Sequence, residues 1–114
     1  AIDGRSLAAL RPLAECLMTL QLEGNHIVSL GKMPVLKNLS ELYLANNRIR
    51  DEGIDALSTS APALEILDVS SNRIEALESI SAPLQQLKEL REVAVMGNPC
   101  CPSDQGSRTR DGWW

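Results

Sequence analysis

Four stretches of the chain share one order of apolar and polar positions. In the clearest, residues 39–49 read LSELYLANNRI, with apolar side chains at the first, fourth, sixth and eleventh places and asparagine at the ninth. The same order recurs around Asn25, Asn72 and Asn98, although the last copy ends in Asn98-Pro99 without the closing isoleucine. Successive asparagines, including Asn47, are 22, 25 and 26 residues apart. This regularity predicts one structural unit repeated four times.

Each copy predicts a short strand followed by a turn. Leu42 and Leu44 are two residues apart, so they point to the same side of a strand. Stacked copies bury that side by pairing their strands in a parallel sheet, and the asparagine amide satisfies backbone groups of the buried turn. The spacing falls in the range of leucine-rich repeats, roughly 20–29 residues. We therefore predict an α/β fold, a right-handed leucine-rich repeat solenoid of about four to five repeats, with a short parallel sheet on its concave face and helical or 3₁₀ turns on its convex face.

The segments between the strands predict helical turns of different kinds. Apolar residues come every third place across residues 27–39, which favours a 3₁₀ or tight turn. A longer convex helix is expected from residue 51, where acidic residues begin it, and Pro83 is expected to start a further helical turn. Near the N-terminus, Ser6 is predicted to cap a short helix, which Pro12 interrupts because proline cannot donate a backbone hydrogen bond.

The first residues align with the second half of a repeat. Ile2 lies 15 residues before Leu17, as Ile49 lies 15 before Leu64. The chain therefore opens just after the asparagine position of an earlier repeat. Two interpretations follow, an excerpt of a longer array or a helical cap that imitates half a repeat.

The pattern stops after Asn98, so we predict a repeat domain over residues 1–99 and an irregular tail over residues 100–114. The tail combines proline, glycine, serine and charged residues with no apolar period until Trp113 and Trp114. The two tryptophans are expected either to dock over the exposed end of the core or to bind a partner, because an end strand leaves an edge that needs a cover.

Composition narrows the function classes. Hydrophobic residues make up 44% of the chain but aromatic residues only 3%, which predicts an aliphatic core. The net charge of −4 argues against nucleic-acid binding, which needs clustered lysine and arginine, and no apolar run is long enough for a membrane span.

The three cysteines do not form a disulfide framework. Cys16 is expected inside the solenoid, and the adjacent Cys100 and Cys101 have no later cysteine to pair with. This pattern predicts a reducing location, cytoplasmic or nuclear. Neither the cysteines nor His26 show metal-ligand spacing, so we expect no metal and no cofactor.

The strand residues that alternate with the leucines define the surface that we call the concave face. It carries four carboxylates and no lysine or arginine, with an aromatic and two apolar residues in or near its middle. Such a surface suits a basic or amphipathic segment of a protein partner, and tyrosine is a favoured interface anchor. The predicted partner-binding residues are Thr19, Gln21, Glu23, Glu41, Tyr43, Ile66, Asp68, Ser70, Glu92 and Met96, accompanied by Ala45 and Ala94. The alternative is a solvated face whose charges only keep the sheet soluble.

Catalysis has little support in the sequence. His26 is the only histidine, stands where other repeats have Arg48 and Arg73, and is expected to face solvent. Glu41 and Asp68 come near each other on the concave face, but a carboxylate pair needs a cleft, which an open curved sheet does not supply. No glycine-rich phosphate loop occurs. We predict that the protein is not an enzyme.

The four motifs resemble intracellular leucine-rich repeat proteins of the protein phosphatase-1 regulatory-subunit type. The segment from NNRIRDEGID to SSNRIEAL is most similar to the acidic leucine-rich nuclear phosphoproteins, and LKELREVAVMGNPC resembles the last repeat of ciliary and splicing leucine-rich proteins. The chain departs from these families in lacking their Tyr-Arg capping helix, their closing Leu-Asp and the long acidic tail. The resemblance implies a non-catalytic binding module, cytoplasmic, nuclear or ciliary, with partners among phosphatases, histones or axonemal proteins.

Two functional hypotheses remain open. In the first, the protein is a regulatory or adaptor subunit that binds a protein through its concave face. In the second, it is a structural component of a larger intracellular assembly, ciliary, axonemal or ribonucleoprotein, held by its edges and tail.

Overall fold

The computed structural model describes residues 2–101 and the backbone of residues 107–109. Four short strands, β1 (Thr19–Gln21), β2 (Glu41–Tyr43), β3 (Ile66–Asp68) and β4 (Glu92–Ala94), lie side by side in chain order. All three pairs among them are parallel, with Leu20, Leu42, Leu67 and Val93 in register. The predicted α/β leucine-rich repeat fold with a parallel sheet is confirmed.

The core is a continuous stack of aliphatic side chains from successive coils. The central strand residues Leu42 and Leu67 are fully buried, whereas Leu20 and Leu22 of the first coil keep 8% of their surface exposed. Leucine, isoleucine and methionine side chains of the convex segments cover the side of the core that faces away from the sheet. At roughly 25 cal/mol per Å² of apolar surface, this shared interior is the main source of stability.

A ladder of asparagine side chains holds the turns that follow the strands. The Asn47 amide donates to the carbonyls of Leu22 and Leu44 at 2.9 and 3.0 Å, and its side-chain oxygen accepts the N–H of Ile27 at 3.1 Å. Asn72 and Asn98 make equivalent bonds, and Asn25 accepts the N–H of Ile2 and donates to the carbonyl of Leu22. Each of the four asparagines therefore bonds its own coil and the preceding one.

The residue before each ladder asparagine has a positive φ, which turns the chain away from the sheet. These residues are Gly24 (70°), Asn46 (58°), Ser71 (54°) and Gly97 (76°). Glycine and asparagine adopt this left-handed conformation at low cost, whereas serine pays a steric penalty. The sharp turn lets the next side chain point back under the strand as a ladder asparagine.

The helical turns differ from the sequence prediction in three places. The N-terminal helix is a 3₁₀ helix over Gly4–Leu13 that contains Pro12, and Asp3 caps it, accepting the N–H groups of Arg5 and Ser6 at 3.0 and 3.2 Å. The prediction of Ser6 as the cap is wrong, because Asp3 already stands in extended backbone one turn earlier. The prediction that Pro12 interrupts the helix is also wrong, since the helix continues through Pro12 to Leu13. The alignment of Ile2 with Ile49 fits the observed pairing, since both carbonyls accept the N–H of the residue after the next asparagine.

The expected longer convex helix is instead two short pieces, a 3₁₀ turn over Asp51–Ile54 and the single-turn helix α1 (Leu57–Ser60). The next helix, α2 (Leu77–Gln85), begins six residues before Pro83, so the proline does not start it. Both differences reflect packing, because buried side chains must stack on the neighbouring coil whatever their local propensity.

The residues that lead into helix α2 are held by a side chain of a different coil. Asp51 accepts the N–H groups of Glu75 and Ala76 at 2.7 and 3.1 Å and the hydroxyl of Ser79. Partial burial alone would raise the pKa of the Asp51 carboxyl, but these hydrogen bonds outweigh it and hold the pKa below its ordinary value. The carboxylate thus joins two convex segments through donors that carry no charge.

Replacing Asp51 with alanine should lower the free energy of unfolding at neutral pH by about 1.5 kcal/mol, the low end for hydrogen bonds to a charged group. Because the folded pKa is depressed, this stabilisation is present above the unfolded value of 3.8 and is lost as pH falls through the folded pKa. Urea unfolding of both proteins at several pH values measures the difference. A gap that stays constant down to strongly acidic pH would contradict the role of the carboxylate, and Asp55→Ala on the same surface serves as the control.

A fifth strand, β5 (Ser107–Thr109), pairs antiparallel with β4 and extends the sheet. The expectation of irregular structure throughout residues 100–114 is wrong for these three residues. The exposed edge of β4 offers unpaired backbone groups, and pairing satisfies them. Trp113 and Trp114 lie outside the described residues, and the domain boundary at residue 99 stays a prediction.

The cysteines of the described residues are free thiols. Cys16 is exposed, so its predicted place inside the solenoid is wrong, whereas Cys101 is buried. Burial, together with the neighbouring Cys101 thiol, raises the pKa of Cys100 to about 12. Among the helices that the structure describes, none is long and apolar enough to cross a membrane.

Candidate functional site

Strand register arranges the concave face in three rows that cross the sheet. The first and second rows follow from the paired residues of β1 to β4, and the third from backbone hydrogen bonds just beyond the strands. In order across the sheet, the rows are Thr19, Glu41, Ile66 and Glu92; Gln21, Tyr43, Asp68 and Ala94; and Glu23, Ala45, Ser70 and Met96. The structure therefore brings all ten of the sequence-predicted residues onto one surface. That a protein partner binds to this surface remains a proposal.

Tyr43 stands near the centre of this surface. Its hydroxyl donates to the Glu41 carboxylate at 2.5 Å, which fixes both side chains across the two rows. This hydrogen bond, with partial desolvation and the nearby negative charges of Glu41, Asp68 and Glu92, raises the pKa of the Tyr43 hydroxyl. Three carboxylates of the concave face thus act on one phenol.

The remaining carboxylates differ in how firmly they are held. Asp68 accepts the N–H and the hydroxyl of Ser70 at 3.0 and 2.6 Å, so its orientation is fixed. Glu23 and Glu92 are exposed and, within residues 2–101, have neither an ion pair nor a side-chain hydrogen bond. The face combines two fixed acceptors in its middle with two free carboxylates at its margins.

The raised pKa of Tyr43 gives a direct optical test. Tyr43 is the only tyrosine of the chain, so the phenolate absorbance reports it alone. We expect a midpoint above the ordinary value of 10.0. Glu41→Gln should move it back toward that value, because the carboxylate that favours the protonated phenol is gone. Glu78→Gln, on α2, is the matched control, and an equal shift in both variants would show that net charge alone acts.

We also searched the described residues for groups of possible metal ligands. No three histidine, cysteine or acidic side chains there come close enough to hold a metal ion. His26 is exposed to solvent, as the sequence indicates, and the carboxylates of Glu41 and Asp68 lie on an open face. The candidate site is therefore a surface for contact rather than an enclosed cavity.

Two features of the described surface were not predicted. Asp51 was expected only to open a helix, but it bonds α2 from another coil, and no local pattern reveals a partner 24 residues away. Arg48 and Arg73 were read as variable positions, yet the N–H of each pairs with the preceding coil, and Arg73 lies beside Arg50 in a parallel bridge. Their common position after an asparagine was the available signal.

The sequence is similar to several known leucine-rich proteins. The chain is 35% identical over 94 residues to U2 small nuclear ribonucleoprotein A′ of Emericella nidulans, covering 82% of this chain and 39% of that protein. It is 33% identical over 99 residues to acidic leucine-rich nuclear phosphoprotein 32 family member A of Drosophila pseudoobscura pseudoobscura, covering 87% and 36%. Human lumican is 38% identical over 68 residues, covering 60% and 20%.

The chain thus spans between a fifth and two fifths of these relatives. The resemblance to acidic leucine-rich nuclear phosphoproteins, proposed from the motifs, is confirmed. A family model described as leucine-rich repeat matches residues 7–109, which include all five strands of the sheet. Since the match covers most of the chain, the protein belongs to the leucine-rich repeat family.

Proposed function

We propose that this protein is a non-catalytic interaction module that binds a protein partner through its concave face. Leucine-rich repeat solenoids use extended concave surfaces for binding, and U2 small nuclear ribonucleoprotein A′ is by its name part of a ribonucleoprotein. The observation that carries the proposal is the surface itself. Tyr43 and Ile66, both half-buried, are surrounded by four carboxylates, and the concave residues of β1 to β4 include no lysine or arginine.

The chemistry of this face selects a basic or amphipathic segment. Cationic side chains of the partner would meet Glu41, Asp68 and Glu92, while its apolar side chains would pack on Ile66 and Tyr43. Four strands about 4.8 Å apart make a strip roughly 15 Å wide, which is wide enough for one helix, about 10–12 Å across with its side chains, or for one extended segment. The fixed orientation of Tyr43 lowers the entropy lost on binding.

Our proposal for the location and role of this protein rests on its relatives. The names of two of them contain the word nuclear, and we propose a nuclear or cytoplasmic place for this protein, with a regulatory or adaptor role. The ciliary location expected from the resemblance stays a prediction.

Charge and shape variants of the concave face test the proposal. Tyr43→Ala and Asp68→Lys should each lower partner recovery in affinity purification by about tenfold. Truncating an interface anchor usually costs about 1.4 kcal/mol of binding free energy or more, which is a tenfold loss of affinity. Glu89→Lys, an equal charge change at an exposed site between α2 and β4, should leave recovery unchanged. Undiminished recovery with both concave variants would remove the concave face as the binding site.

The second candidate is a structural component of a larger assembly, held by its edges and tail. One observation favours it: β1 has no neighbour on its outer side among the described strands, and Leu20 and Leu22 are less completely covered than the leucines of other coils. An open edge accepts another strand. Under this alternative, removing residues 102–114 abolishes assembly while the concave variants have no effect.

A further inference from the structure

A group of arginines lies on the flank of the solenoid, just past the asparagine ladder. Arg48 and Arg50 stand on either side of the fully buried Ile49, so their side chains point outward. Arg73 occupies the equivalent place in the next coil, directly before buried Ile74. We call Arg48, Arg50 and Arg73 the arginine flank; all three are exposed.

Backbone pairing brings the three arginines together. The N–H of Arg48 donates to the carbonyl of Ile27 at 2.9 Å, and the N–H of Arg73 makes the matching bond to Ile49 at 2.8 Å. Arg50 and Arg73 are themselves partners in a parallel bridge. Adjacent coils are about 4.8 Å apart, so the three long side chains share one patch of surface.

These arginines have no carboxylate partner within residues 2–101. The ion pairs there are Lys37 with Glu15 at 3.3 Å and Arg91 with Glu65 at 3.5 Å, both elsewhere on the surface. The Asp51 carboxylate, next in sequence to Arg50, is occupied by the backbone and hydroxyl donors of the α2 N-terminus. Three guanidinium groups are therefore available to an outside acceptor.

We propose that the arginine flank is a second interaction surface, which binds an acidic segment of a protein. Guanidinium forks pair well with carboxylates, and alternate side chains of an extended peptide, about 7 Å apart, lie within reach of arginines on neighbouring coils. The flank begins three residues after the concave face ends at Ala45 and Ser70, so one partner carrying basic and acidic stretches spans both.

A local acidic segment fits better than a long polyanion such as RNA. Asp51, Glu52 and Glu75 line the same shallow depression as Arg50 and Arg73, so the arginines there balance only a few added negative charges. The carboxylates of the concave face and the net charge of −4 would also repel a continuous phosphate chain. A short stretch of side-chain carboxylates engages the arginines without extending over the acidic concave face.

Fluorescently labelled decaglutamate tests the proposal at low salt, with decaglutamine and decauridylate RNA as comparison probes. Arg48→Glu/Arg73→Glu should weaken decaglutamate binding by about tenfold, because two exposed charges are reversed. The control Arg11→Glu/Lys32→Glu makes the same change of net charge at exposed convex sites and should stay within about twofold. Melting curves verify that both variants fold.

Three results would overturn the proposal: no binding of decaglutamate to the wild-type protein, an equal loss with the control variant, or tighter binding of the RNA than of decaglutamate. Tyr43→Ala should leave decaglutamate binding unchanged, since the phenol lies on the other surface. The outcome is thus independent of whether the concave face binds its own partner.

Discussion

Replacing Asn72 with alanine should lower the free energy of unfolding by about 2 to 3 kcal/mol, because the buried N–H of Ile49 loses its acceptor while three carbonyls of the turn each lose one of two donors. The Asn72 amide donates to the carbonyls of Leu44, Val69 and Ser70 at 2.9, 3.0 and 3.0 Å. Its side-chain oxygen accepts the N–H of Ile49 at 2.9 Å. Alanine replaces none of these bonds, and water has little access to a site that is 7% exposed.

Chemical denaturation of the purified protein measures this loss, and Asn38→Ala supplies the comparison. Asn38 also donates to a backbone carbonyl, that of Glu15, but at an exposed site where water takes over. Its replacement should cost less than about 1 kcal/mol. Equal unfolding midpoints for Asn72→Ala and the wild-type protein would mean that the ladder contributes nothing to stability.

Replacing Leu67 with alanine should cost about 3 to 4 kcal/mol, the usual loss for a leucine removed from a closed core. Leu67 lies in β3 between Leu42 and Val93, and all three side chains are fully buried. Neither neighbour can move into the cavity, because strand pairing fixes both backbones on either side.

Leu13→Ala is the matched control, since that leucine is 45% exposed, and its loss should stay below about 1 kcal/mol. Thermal and urea unfolding give both values. Similar losses for the two variants would contradict a single core shared by the coils, on which the smooth arrangement of the concave face depends.

The concave face was predictable because a strand has a period of two. Once Leu42 and Leu44 are assigned to the core, Glu41 and Tyr43 must lie on the other side of β2. The spacing of the asparagines then sets which residues of neighbouring coils become neighbours, so the position of Tyr43 beside Asp68 followed from counting. The hydrogen bond between Tyr43 and Glu41 did not follow, since it depends on side-chain rotamers.

The convex side was harder to predict because its lengths differ from coil to coil. The approach from Asn47 to β3 is a 3₁₀ turn and a single-turn helix, whereas the approach from Asn72 to β4 contains the nine-residue α2. Local sequence favours helix in both. The amount of helix that forms is set by which side chains reach the neighbouring coil, and this information is not local.

The sequence by itself determined the repeat, the parallel strands and the asparagine ladder, because these depend on short patterns that recur at a nearly constant spacing. Only the tertiary structure decided three further features. Asp51 holds the approach to α2 from another coil, β5 reverses direction to cover β4, and Arg50 meets Arg73 across coils. Each joins residues more than ten positions apart, where backbone geometry rather than local preference selects the neighbours.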